Sequence, residues 1–115
     1  MPIAVSEPIV LDRTIYVGTD HLWALRRLSD GVPIIPSSAK AQIRSSTNDA
    51  LWVECGIAID FVNGWITIII PVAATNDPAW KSRIEGLWDL EVIVETYKYR
   101  WAQGKVTISD EVTLS

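Results

Sequence analysis

The stretch Gly86-Leu87-Trp88-Asp89-Leu90-Glu91-Val92-Ile93-Val94 decides the reading of this chain. Every second residue falls into one of two sets. Trp88, Leu90, Val92 and Val94 form an apolar row, and Asp89 and Glu91 lie opposite, with Ile93 the exception. A period of two is the mark of a strand with one buried face.

Moving outward, the same alternation returns. Ala39, Ala41 and Ile43 alternate with Lys40, Gln42 and Arg44. Ile57, Ile59 and Phe61 alternate with Ala58 and Asp60, and Ile66, Ile68 and Ile70 fall in one register after Trp65. Between these runs sits Asn63-Gly64, which predicts a two-residue hairpin turn with positive φ at both positions. Ile9 to Val17 is β-prone, and Leu22 to Leu28 is a further strand closed by Ser29-Asp30-Gly31. Val32 to Pro36, with prolines near both ends, suits an edge or a crossing between sheets. Leu51 to Cys55 and Ile57 to Val62 are parted by Gly56. Tyr97 to Gln103 and Lys105 to Ser109 predict a last hairpin through Gly104.

One segment breaks the pattern. Asp77-Pro78 reads as an N-cap followed by proline at the first helical position, so Ala79 to Arg83 predicts one or two helical turns. About eight short strands with frequent turn signals argue for a single antiparallel β-sandwich over residues 1–115, with one short helix before the penultimate long strand. Residues 1–8, with two prolines, read as an arm that packs on a neighbouring subunit or as a loose terminus. The predicted core is Ile43, Ile57, Ile59, Phe61, Ile66, Ile68, Trp88, Leu90, Val92 and Val94.

Composition bounds the function. At 115 residues there is room for one core, and 49% hydrophobic residues suit a globular chain. A net charge of −4 argues against a nucleic-acid partner. No apolar run approaches the roughly 18 residues of a membrane span. The N-terminus lacks a basic region before an apolar core, so no signal peptide is expected. A lone cysteine, Cys55, suits synthesis in a reducing cytoplasm.

Constellations for chemistry are scarce. One His and one Cys make no zinc site from a single chain, and Asp60, Asp77, Asp89 and Glu91 are not spaced as a calcium loop. His21 follows Asp20, but neighbours on a strand point apart, so His21 reads as a turn or surface residue. Cys55 beside Gly56 reads as a small packed residue rather than a reactive thiol. No catalytic residue, cofactor or metal is expected, and an enzyme is not expected.

The aromatics are the remaining signal. Six Trp is a high count for this length. Tyr97, Tyr99 and Trp101 share one face of their strand; Trp65 and Ile69 lie opposite the core set of theirs; Trp52 alternates with Leu51 and Val53. Trp52, Trp65, Ile69, Tyr97, Tyr99 and Trp101 are therefore the candidate protein-interface residues. For the row Tyr97, Tyr99 and Trp101, rim packing, a protein contact and sugar stacking remain open.

The order of motifs adds a resemblance. Ala39 to Arg44 follows Asp30-Gly31 and Val32-Pro33-Ile34-Ile35-Pro36; then come Asn63 to Ile68, the helical stretch, Gly86 to Val92, and Lys105 to Thr113. This order resembles the small immunoglobulin-like β-sandwich proteins of tailed-bacteriophage virions, which include tail-fibre-anchoring collar proteins and the N-terminal domains of baseplate upper proteins. It spans roughly Leu22 to Thr113. Trp88 stands where the corner aromatic of such folds is usually Tyr, so its hydrogen bond comes from the indole N–H or is absent. The resemblance implies an immunoglobulin-like sandwich and a non-enzymatic virion protein. The expected role is a minor tail or baseplate component, made in the host cytoplasm, that packs as a homo-oligomeric ring with other virion proteins and meets no nucleic acid or membrane. A capsid decoration protein and a carbohydrate-binding module contacting the host surface are the alternatives.

Overall fold

The computed structural model describes residues 7–109. Most of the predicted arm (1–6) and the end of the last motif (110–113) lie outside the described residues. The strands in chain order are β1 (Ile9–Val10), β2 (Arg13–Tyr16), β3 (His21–Leu25), β4 (Leu28–Ser29), β5 (Val32–Pro33), β6 (Ser38–Ser45), β7 (Leu51–Glu54), β8 (Gly56–Ile59), β9 (Ile66–Ile70), β10 (Glu85–Val94) and β11 (Tyr97–Ser109). A single turn of α-helix, α1 (Val72–Thr75), and a 3-10 helix (Pro78–Ser82) separate β9 from β10.

The larger sheet runs β1-β11-β10-β6-β7, with β2 also on β11; the smaller runs β3-β9-β8, and β4-β5 form a separate two-stranded ribbon. The pairs β10–β11, β10–β6, β6–β7, β3–β9 and β8–β9 are antiparallel. The antiparallel expectation needs one amendment, because β1 and β2 both run parallel to β11. Both sheets contribute to one apolar core. Trp23 of β3 meets Trp88 of β10 edge-on, with ring centroids 5.5 Å apart.

The alternation in β10 holds. Trp88, Leu90 and Val92 are buried between β6 and β11, and Asp89 and Glu91 face out. Ile43, Ile66 and Ile68 are buried as expected. Ile57, Ile59 and Val94 are half-buried at the margin of the core.

Three expectations fail, each for a local reason. Phe61 is exposed, because β8 stops at Ile59 and the chain enters a loop at Asp60. In that loop the Asp60 carboxylate accepts the amides of Val62 and Asn63 at 2.9 and 3.0 Å, which competes with continued pairing. Asn63-Gly64 is consequently not a two-residue turn: only Gly64 has positive φ, and the strands rejoin where the Asp60 amide meets the Trp65 carbonyl. The turn with positive φ at both positions is Asp30-Gly31, which joins β4 to β5.

Gly104 makes no hairpin. β11 runs unbroken from Tyr97 to Ser109, and the turn into it is Glu95-Thr96, with Glu95 at φ 59°. Gly104 is small because the Leu11 carbonyl lies against it. The helical turns expected after Asp77 are present as a 3-10 helix, and Asp77 caps it as expected, accepting the Ala79 amide at 2.8 Å.

Candidate functional site

The six candidate aromatic and apolar residues do not form one surface. Trp101 is the plainest correction: it is 0% exposed. Opposite it, the pairing of β10 with β11 jumps from Leu90–Ala102 to Glu91–Arg100, so Trp101 is the extra residue of a bulge. The bulge reverses the phase of the strand, and both Trp101 and Ala102 turn inward. The proposed row therefore reduces to exposed Tyr97 and half-buried Tyr99, whose rings stand 6.5 Å apart.

Trp52 belongs to a second cluster. Its ring meets buried Trp80 of the 3-10 helix edge-on at 5.7 Å, and the Arg83 guanidinium sits over both rings at 4.8 and 4.6 Å. Arg83 follows the helix because Asp77 and Pro78 start it, so the cap places the cation. Trp52 covers Gly86, where a side chain would meet the indole at 2.6 Å. The cluster closes one end of the larger sheet.

Trp65 lies at the other candidate surface, the β8–β9 loop. Its ring is 41% exposed, with the Arg26 guanidinium 4.7 Å over one face. Arg26 also donates to the Asn63 carbonyl at 3.2 Å. Gly64 seats the loop on the segment after β5, where a Cβ would meet the Ile34 carbonyl at 2.9 Å and Pro33 at 3.2 Å. Phe61 and Val62, exposed by 62% and 79%, stand at the tip of this loop, and exposed Val32 and Ile35 flank the segment it rests on. Phe61, Val62 and Trp65 thus belong to the β8–β9 loop, and Val32 and Ile35 to the β5 segment on which Gly64 seats it. Ile69, three residues beyond Ile66 and half-buried, packs over Gly56 instead.

The sequence pointed to Trp65 but not to Phe61, Val62, Val32 or Ile35. The missing signal was Asp60: an Asx residue ahead of Asn63-Gly64 marks a longer loop, and a longer loop turns its apolar residues outward.

No family model and no curated protein matches this chain.

Elsewhere, the outer face of β6, β10 and β11 holds a concavity of about 790 Å³ lined by Lys40, Gln42, Arg44, Asp89 and Arg100 among others. Its charges are mixed and partly paired, with Arg100 at 3.7 Å from Asp89 and 3.8 Å from Glu91. Burial raises the Asp89 carboxyl above its ordinary value, against the pull of Arg100. Burial, followed by the charges of Asp89 and Glu54, pushes the Cys55 thiol up to about 12, so it is held as the unreactive thiol. Among the described residues no group of three or more His, Cys, Asp or Glu is placed to hold a metal, and no helix is long and apolar enough to cross a membrane.

Proposed function

We propose that the two sheets form an immunoglobulin-like sandwich and that the chain is a non-enzymatic structural protein of a tailed-phage virion, packing as a ring of copies at the tail or baseplate. The observation that carries this reading is the apolar end formed by Phe61, Val62, Trp65, Val32 and Ile35. Large exposed apolar side chains gathered on adjoining segments are the surface a protein partner covers. In a ring, one patch on each copy meets a different patch on the next, so the apolar end supplies one of the two faces of each contact.

One further feature supports it. The order of motifs over residues 22–113 resembles that of small phage sandwich proteins. Stacking on sugar is the weaker reading of the same aromatics. Sugar binding needs open ring faces, but Arg26 occupies one face of Trp65, and Trp80 with Arg83 packs Trp52.

The test is incorporation. Val62→Asp places a charge at the exposed loop tip without touching the core. A ring protein with this variant folds but is missing from purified particles. Normal incorporation of Val62→Asp and Phe61→Asp would overturn the assigned surface.

A further inference from the structure

His21 opens β3, directly after the turn that leaves β2. Its Nε2 accepts the backbone N–H of Tyr16 at 3.1 Å. A nitrogen that accepts a hydrogen bond carries no proton, so the ring is neutral with its proton on Nδ1. Nδ1 is buried and without a hydrogen-bond partner among the described residues. The Tyr16 ring stacks on the imidazole at 6.3 Å, and Trp23 meets its edge at the same distance.

The turn that this bond closes is tied to the rest of the molecule at two further points. The Gly18 amide donates to the Thr75 hydroxyl at 3.0 Å, and the Val72 amide donates to the Asp20 carboxylate at 2.6 Å. Thr75 is fully buried. The turn between β2 and β3 thus clasps both ends of α1.

We infer that His21 is a proton-operated latch: gaining a proton at Nε2 turns the acceptor of the Tyr16 amide into a second donor and opens the β2–β3 turn from α1. The proton comes from solvent and no other bond changes. The new N⁺–H takes the place of the lone pair and points at the Tyr16 N–H, so donor faces donor; the Thr19 hydroxyl oxygen, 3.4 Å from Nε2, is the acceptor within reach once the turn shifts. That hydroxyl also donates to the Tyr16 carbonyl at 2.8 Å, so its reorientation disturbs the same turn.

The charged groups around the ring are few. Asp20 is adjacent and favours the imidazolium, while the Arg13 guanidinium, over Trp23 at 5.6 Å, lies beyond the facing aromatic. Burial outweighs Asp20 and the Thr19 contact, and holds His21 below the ordinary histidine value of 6.5. The sign follows. A depressed folded value means that the unfolded chain binds the proton first, so the latch is fully closed above pH 6.5 and its contribution is lost as pH falls through the folded value.

The experiment is NMR on the full chain labelled with ¹⁵N. Long-range ring spectra at high pH should show the Nδ1–H tautomer. Amide exchange of Tyr16 and Gly18, corrected for its intrinsic pH dependence, should accelerate on the order of tenfold as His21 titrates. The Leu90 amide should stay protected. His21→Phe keeps an aromatic ring but removes the acceptor, and should leave the two amides unprotected at every pH; His21→Gln, with a neutral acceptor, should flatten the pH response. An Nε2–H tautomer at high pH, unchanged Tyr16 protection through the titration, or loss of protection at Leu90 together with Tyr16 would each overturn the latch.

Discussion

The indole N–H of Trp88 donates to the carbonyl of Leu11 at 2.7 Å, across 77 residues of sequence. Leu11 lies between β1 and β2, at the point where the N-terminal segment passes along β11. The bond therefore fixes an otherwise thinly paired segment to the strand at the centre of the larger sheet. Trp88→Phe keeps most of the ring but leaves a part-buried carbonyl without its donor. The expected cost is about 1–3 kcal/mol, read by urea denaturation. The same variant should speed exchange at Leu11, whose amide donates to the Gln103 carbonyl at 2.9 Å.

Gly104 makes that bond possible. It sits opposite Trp88 on β11, and a Cβ there would fall 1.9 Å from the Leu11 carbonyl oxygen and 3.0 Å from the Trp88 indole nitrogen. Gly104→Ala should displace Leu11, break the indole bond and destabilise the domain by about 1–3 kcal/mol or more. Gly31→Ala is the control. Nothing lies within 4 Å of its Cβ position, so only its positive φ opposes the change, at about 1–2 kcal/mol. Thermal melts of the two variants should separate in that order.

Leu90 is fully buried between Ala41 and Ala102, small residues that leave it room. Leu90→Ala should cost about 2–5 kcal/mol by denaturant titration, through lost burial and the cavity left behind. A cost near zero would mean that the apolar row of β10 does not face the core.

Asp60 carries a pH dependence of opposite origin to that of His21. The amides of Asn63 and Val62 hold its carboxyl below the ordinary value of 3.8. A depressed carboxyl stabilises the fold above pH 3.8, and that contribution is lost as pH falls through the folded value. A carbon-detected NMR titration should place Asp60 below the other exposed aspartates. Asp60→Ala should loosen Phe61 and Val62, seen as faster exchange at Val62 and Asn63.

Much of this was legible in the sequence, and the failures share a cause. The alternation of β10 and of Ala39 to Arg44 survived because both strands have a partner on each side and pair with each other in unbroken register. Trp101 was misplaced because a bulge reverses the phase of β11, and a period of two carries no sign of an inserted residue. Asn63-Gly64 and Gly104 were read as turns because glycine signals turns locally. The first lies within a loop governed by Asp60, and the second makes room for Leu11. Trp52 lay on the side of its strand expected to be outward, but the 3-10 helix that covers it arrives from residues far along the chain. The apolar end was hidden for the same reason as the loop, since Phe61 and Val62 continue an alternating run past the point where pairing stops.

The surface account predicts a separation of stability from assembly. Val62→Asp and Phe61→Asp alter exposed side chains and should shift stability by no more than about 0.5 kcal/mol. Both should abolish incorporation into particles. Trp52→Ala should do the reverse first, lowering the melting temperature by exposing Trp80.

Antibody labelling of purified virions by electron microscopy tests the central claim most directly. Gold-labelled antibody against this chain should mark a ring at the tail or baseplate. Label spread over the capsid would instead make it a decoration protein, and particles that carry no label would contradict the virion assignment itself.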